Sequence, residues 1–200
     1  MRIYFGVKLF QLQEQARVVF RYYRKVRFAL VDLSFCLSGF FCNPYRICRK
    51  FTGVHSYGET PITTFALIAE AAEMKKGDHF LDLGAGRGKL CFWAAFWLGC
   101  TCTGIEQVPF FVQQARRLAS LFRMSVRFCL GAIEAADVAK AAVVYLYVME
   151  WDEALLEQMA PEARLITVGA PVESSAFAVV RKISARYPWG FTDVYVQRRI

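Results

Sequence analysis

From residue 60 onward the chain alternates between short apolar runs and amphipathic stretches, and this alternation limits the fold more than any other feature. The runs "HFLDLG" (79–84), "CTGIE" (102–106), residues 125–130, "AVVYLYV" (142–148) and "RLITVG" (164–169) have the length of strands. Helical patterns separate them at 88–98, at 109–122, near 133–139 and at 152–159. A further helix starts at Thr60-Pro61, with Thr60 as its cap, and runs to Lys75 or Lys76 before Gly77. Strands separated by helices are joined by crossovers, so the order predicts a parallel sheet covered on both faces. The tail departs from this pattern. "FAVVRKIS" (177–184) and "DVYVQRR" (193–199) flank "RYPWGF" and predict an antiparallel pair closing one edge.

The stretch "HFLDLGAGRGKL" (79–90) joins the first strand to a helix through Gly84, Gly86 and Gly88. A dinucleotide fingerprint places its third glycine one position later, where this chain has Lys89. That glycine serves close approach to a pyrophosphate. S-adenosylmethionine has no pyrophosphate and suits the GxGxG spacing better. Asp82, at the end of the first strand, suits the ammonium of such a ligand, directly or through water. Glu106 ends the second strand, 22 residues after Gly84, where a carboxylate accepts from both ribose hydroxyls. A carboxylate there serves nucleosides in general. The structural alternative is a plain glycine turn with Asp82 capping the helix.

The motif "FLDLGAGRGKL…TGIE" resembles the core of class I S-adenosylmethionine-dependent methyltransferases. "SYGETP" (56–61) resembles the Tyr-Gly-Glu-Thr ligand loop of the non-SET histone lysine methyltransferases. Bacterial relatives of the ATP-synthase c-subunit lysine methyltransferase have a similar loop, a basic apolar lead and a "VVYLY"-like fourth strand. The resemblance covers about residues 40–200. With the alternation, it implies an α/β, Rossmann-like doubly wound sheet of seven strands, mostly parallel with an antiparallel C-terminal hairpin. The expected division is a basic helical segment over 1–55 and the methyltransferase domain over 56–200. The resemblance further implies that Tyr57 and Thr60 hold the methionine tail in a cofactor-binding loop that includes Gly58 and Glu59, and that Gly84, Ala85, Gly86, Gly88 and Lys89 pass beneath the ligand. After the third strand the family often has Gly-Asp or Gly-Asn to read the adenine amino group. Here the sequence is "GAIE", so Ala132 and Ile133 backbone groups, or Glu134, take that place. The histone enzymes also carry an Asn pair after the fourth strand, where this chain reads "YVME", so a nucleosomal substrate is not expected.

Charge is distributed unevenly. Residues 1–55 hold ten Lys or Arg against Glu14 and Asp32, and the remaining 145 residues balance to zero, which accounts for the net +8. An anionic partner therefore meets the N-terminal quarter first. Apolar positions Phe5, Leu9, Leu12, Ala16, Val19, Tyr23, Val26 and Leu30 follow helical steps across 3–30, with Arg17, Arg21 and Arg24 on another face. "GFFCNPY" (39–45) is expected to break the helix at Gly39 and Pro44. The run 28–42 is short for a spanning helix and contains Asp32, so it reads as a buried or membrane-surface segment. Residues 1–45 are the expected contact with an anionic membrane surface, and nucleic acid is the weaker alternative. No signal-peptide pattern fits. Seven cysteines without a CxxC pair, and only two histidines, point to reduced thiols in a cytoplasmic protein and to no metal.

Methyl transfer is an in-line displacement at a reactive sulfonium, so the protein mainly aligns the acceptor and no acid–base pair is required. Tyr145, Tyr147 and Trp151 are candidates to line the acceptor channel, with Tyr147 the candidate catalytic residue. Aromatic rings there favour a methylammonium product. Tyr145 reads rather as a core residue, and Glu150 reads as an amine-polarising group or as an exposed acid. The expected substrate is a protein, at lysine. An RNA methyltransferase and a non-catalytic adenosylmethionine-binding protein are the alternatives.

Overall fold

A computed structural model describes residues 2–41, 43–53, 58–147 and 151–200. Seven strands form one sheet: β1 (His79–Leu83), β2 (Thr101–Glu106), β3 (Val126–Leu130), β4 (Val143–Leu146), β5 (Arg164–Val168), β6 (Phe177–Tyr187) and β7 (Gly190–Arg199). Their order is β3-β2-β1-β4-β5-β7-β6. The first five are parallel, and β7 pairs antiparallel with both β5 and β6. The doubly wound sheet with its antiparallel hairpin is thus the one expected from the sequence. The hairpin strands are longer than expected and leave only Pro188 and Trp189 between them.

Both faces of β1, β4 and β5 are covered, which is why these strands read as continuous apolar runs. On one face Phe80, Val143, Tyr145 and Ile166 join a core with α4 (Ile62–Ala71), α5 (Lys89–Trp93) and α6 (Pro109–Leu121). On the other face Leu81, Leu83, Val144, Leu146 and Leu165 pack with α7 (Glu153–Leu156) and the connection through Val138. Arg164 pins the lower end of β5. It donates to Asp78 (2.8 Å) and to the carbonyls of Ala72 and Glu73 (2.9 and 2.6 Å), which satisfies the end of α4.

Several local expectations need correction. The single helix over 3–30 is two helices, α1 (Arg2–Tyr22) and α2 (Val26–Phe41), with a turn at Tyr23–Lys25 closed by the Lys25 amide on the Tyr22 carbonyl. Gly39 does not end α2. The chain breaks before α3 (Pro44–Thr52), which Asn43 caps through the amides of Tyr45 and Arg46. Thr60 does not cap α4; its hydroxyl lies 2.6 Å from that of Tyr145 instead, and Pro61 takes the cap position. α4 stops at Ala71 rather than at Lys75 or Lys76. The helix expected near 133–139 is one 3-10 turn, Ile133–Ala135.

The N-terminal helices form a third layer over α4 and α5. Val18, Tyr22, Phe28, Val31 and Phe35 belong to the same core as the sheet. Asp32, which interrupts the apolar run, is buried and accepts from Gln15 (2.8 Å) and the Tyr23 hydroxyl (2.9 Å), so it ties α2 to α1. The Leu9, Leu12, Ala16 and Val19 stripe does not pack on the body. It faces outward, and Phe10, Val18 and Tyr22 do the packing.

Candidate active site

In an open parallel sheet, ligands bind beyond the strand carboxyl ends, at the point where strand order reverses. Here β1 lies between β2 and β4, so that point is the end of β1 and the turn that follows it. Gly84, Gly86 and Gly88 all have positive φ (83°, 54° and 83°), a conformation that side chains resist. The amides of Gly84 and Ala85 both donate to the Ile105 carbonyl, which presses the turn against β2. A Cβ on Gly88 would lie 2.4 Å from the Phe128 ring. Gly104, which the motif reading passed over, has the same constraint: its Cβ would meet Ala85 at 2.7 Å and Phe128 at 2.8 Å.

Two acids face this turn. Glu106 is buried; its Oε2 accepts from the Gly86 amide (2.7 Å) and its Oε1 from the Val108 amide (2.8 Å). Burial raises its pKa, and those amides oppose the rise. A carboxylate has about four acceptor sites, so lone pairs remain for a diol. Asp82 is 2% exposed, and its described partner is the Cys91 thiol, with Sγ 3.9 Å from Oδ2. Burial, and then the nearby Glu106 charge, push its carboxyl up to about 7. A buried acid so placed is relieved by a cation.

The ligand-loop residues converge on the same turn. Tyr57 lies outside the described residues. Glu59 receives a bidentate pair from Arg87 (2.5 and 2.8 Å), with the Lys89 Nζ 3.3 Å away. Arg87 also donates to the Phe35 carbonyl of α2 (2.8 Å). One buried guanidinium therefore joins the glycine turn, the ligand loop and the N-terminal layer. Sequence reading missed Arg87 because it occupies a variable position of the glycine motif; the signal was an acid, Glu59, in the facing motif. Ala132 and Glu134 are exposed after β3, and the Gly131 amide before them donates to the Glu106 carbonyl (3.1 Å).

Beside Gly58 stands an aromatic wall. Tyr147, half-buried at the end of β4, lies 5.8 Å from the Tyr187 ring and 6.2 Å from Trp189; Tyr187 and Trp189 stack at 5.2 Å. A Cβ on Gly58 would touch Trp189 at 3.2 Å and Tyr147 at 3.6 Å. Tyr145 is buried in the core, bonded to Thr60. Trp151 packs into the core on the opposite face of the sheet, so the structure does not bring it to Tyr147. The rings that do join Tyr147 come from the C-terminal hairpin. Residues Val148, Met149 and Glu150 lie outside the described residues.

The donor set fits S-adenosylmethionine: a cradle without Cβ atoms, a carboxylate for a diol, and a buried acid for an ammonium. Comparison with known proteins agrees with this fit. The model of the family "Histone methylation protein DOT1" matches residues 46–137. The ribosomal protein L11 methyltransferase of Thermus thermophilus is 38% identical over 79 residues, 40% of this chain and 31% of that protein. An uncharacterized Escherichia coli protein is 41% identical over 64 residues, 32% of this chain and 25% of its own length. The matched region thus spans no more than a third of either curated relative. An RNA methyltransferase of Salinibacter ruber, solved with S-adenosyl-L-homocysteine, superposes with a TM-score of 0.60 at 27% identity, over 69% of this chain and 91% of that one. In its sheet order, its glycine turn and these relationships, the chain has the fold and the cofactor-site layout of class I S-adenosylmethionine-dependent methyltransferases.

Proposed function

We propose that the protein transfers a methyl group from S-adenosylmethionine to a lysine amine of a protein. The observation that carries this reading is the Tyr147–Tyr187–Trp189 wall beside the ligand loop. S-adenosylmethionine supplies an electrophilic methyl on a sulfonium. Gly84 to Gly88 give its nucleoside a close backbone surface, Glu106 takes the ribose, and Asp82 takes the amino-acid ammonium. Ala132 and Ile133 offer backbone groups to the adenine. Burial raises the Tyr147 and Tyr145 phenols well above their ordinary range, so both stay protonated at neutral pH. Tyr147 therefore positions the acceptor and is not a base. The amine loses its proton before entry, and the wall favours the methylammonium that forms.

Trp189 is 52% exposed, so its removal leaves the core intact. Trp189→Ala is expected to lower kcat about tenfold through the lost cation–π contact with the methylammonium that forms, with cofactor affinity unchanged. An equal loss of cofactor affinity would assign Trp189 to the other ligand. The direct test incubates the protein with radiolabelled methyl donor and fractionated lysate, followed by acid hydrolysis. Labelled methyl-lysine supports the reading. Label in RNA supports a second reading, which the likeness to the Salinibacter RNA methyltransferase favours.

The proposed compartment is the cytoplasm. Cys91, Cys100 and Cys102 are buried, and burial raises their thiols, Cys100 up to about 11. Such thiols remain unreactive and suit a reducing environment.

A further inference from the structure

The outer face of the N-terminal layer is apolar where a soluble surface would be polar. On α1, exposed Leu9, Leu12, Ala16, Val19 and Phe20 fall within an arc of about 100° at helical spacing, opposite the packed Phe10 and Val18. Phe20 is 91% exposed and Leu12 70%. On α2, exposed Val26, Leu30, Leu33 and Leu37 fall within about 60°, opposite packed Phe28, Val31 and Phe35. Each helix thus carries two apolar stripes back to back. Both inner stripes enter the same core, so both outer stripes turn away from the body.

The charge around these stripes has one sign. Of the two acids in residues 1–55, Glu14 accepts from the Thr63 amide and hydroxyl (2.9 and 2.6 Å), and Asp32 is buried. Not every base faces outward: Lys25 and Arg27 donate to the Phe96 and Phe122 carbonyls, and Arg24 lies over Trp97. Lys8, about 20° from one edge of the α1 stripe, and Arg17, about 60° from the other, are exposed, while Arg21 falls nearer the packed stripe. Arg46, Arg49 and Lys50 are exposed on α3, which buries no residue of its own and shows Tyr45 and Phe51.

We propose that the outer face of α1, α2 and α3 seats on an anionic lipid surface, with the leucine and phenylalanine stripes in the acyl boundary and the α1 and α3 bases at the headgroups. Large exposed apolar patches mark interaction sites, and helices of this pattern lie in the plane of the interface. A second copy of the chain does not suit the face, because it would oppose two basic surfaces that have no outward acid to pair. RNA suits the bases but leaves the aliphatic stripes in water. No single helix among the described residues is long and apolar enough to cross a membrane. Lipid is the partner that takes both features.

The test is co-sedimentation of the full chain with phosphatidylserine–phosphatidylcholine vesicles and with phosphatidylcholine alone, at two salt concentrations. The expected result is binding to the anionic vesicles only, weaker at high salt. Leu12→Glu with Leu33→Glu, both at exposed positions, should lower that binding at least about tenfold. Arg46→Glu, Arg49→Glu and Lys50→Glu together should lower it by roughly a hundredfold. Thermal stabilisation by S-adenosylhomocysteine in the same samples should be unchanged, which separates failure of this surface from failure of the methyltransferase reading. Absence of vesicle binding, equal binding to neutral vesicles, or concentration-dependent self-association abolished by the glutamates would overturn the proposal. So would RNA binding that needs the α3 bases and ignores the glutamates.

Discussion

Asp82→Asn is expected to stabilise the ligand-free protein at neutral pH while weakening S-adenosylmethionine binding at least about tenfold. Burial pushes the Asp82 carboxyl up to about 7 in the fold, from an ordinary value of 3.8. Between those two values the folded protein holds a proton that the unfolded chain has released. Stability therefore falls as pH rises through that window and levels off above it. A shift of this size corresponds to on the order of 4 kcal/mol. Asparagine keeps the shape and removes the titration, so the variant should lose this slope. It also removes the charge that an ammonium needs. Melting temperatures of both proteins between pH 4 and 9 read the first effect, and cofactor titration reads the second. A wild-type curve without the fall, or a variant curve parallel to it, would contradict this assignment.

The second large effect belongs to Arg87. Arg87→Ala leaves Glu59 without its bidentate partner and unhooks the Phe35 carbonyl from the glycine turn. Breaking a fully buried pair from one side costs about 3–5 kcal/mol, and Glu59, 26% exposed, sets the expected loss at about 2 kcal/mol, below that range. Lys89, 3.3 Å from Glu59, offsets part of that loss. Denaturant unfolding measures the cost, and a double-mutant cycle with Glu59→Gln isolates the pair. A loss below about 1 kcal/mol would place the contact among ordinary surface ion pairs. Cofactor affinity should fall in the same variant, since the ligand loop is held to the turn by this contact.

The sheet was legible because its signals are local. Each strand of β1 to β5 is an apolar run closed by a turn residue, and GxGxG with Glu106 downstream marked two groups that the structure brings together, the Gly86 amide and the Glu106 carboxylate. What escaped was information that only tertiary packing supplies. Residues 1–22 contain two apolar stripes, and nothing in the spacing says whether Leu9 and Leu12 or Phe10 and Val18 meet the body. The turn at Tyr23–Lys25 has no glycine or proline to announce it. Thr60 has the chemistry of a cap, yet the Tyr145 hydroxyl, 85 positions away, claims it. Trp151 looked adjacent to Tyr147 along the chain, but it packs on the other face of the sheet. Trp189 arrives from a hairpin whose turn sets its position, and no short-range pattern predicts that meeting.

The central claim is the identity of the small ligand held at the end of β1. Isothermal titration of the purified protein with S-adenosylhomocysteine and, separately, with NAD tests it most directly. The expected result is saturable one-to-one binding of S-adenosylhomocysteine and no heat from NAD, with the first signal lost in Glu106→Ala. Binding of NAD without S-adenosylhomocysteine, or wild-type affinity in Glu106→Ala, would contradict the account.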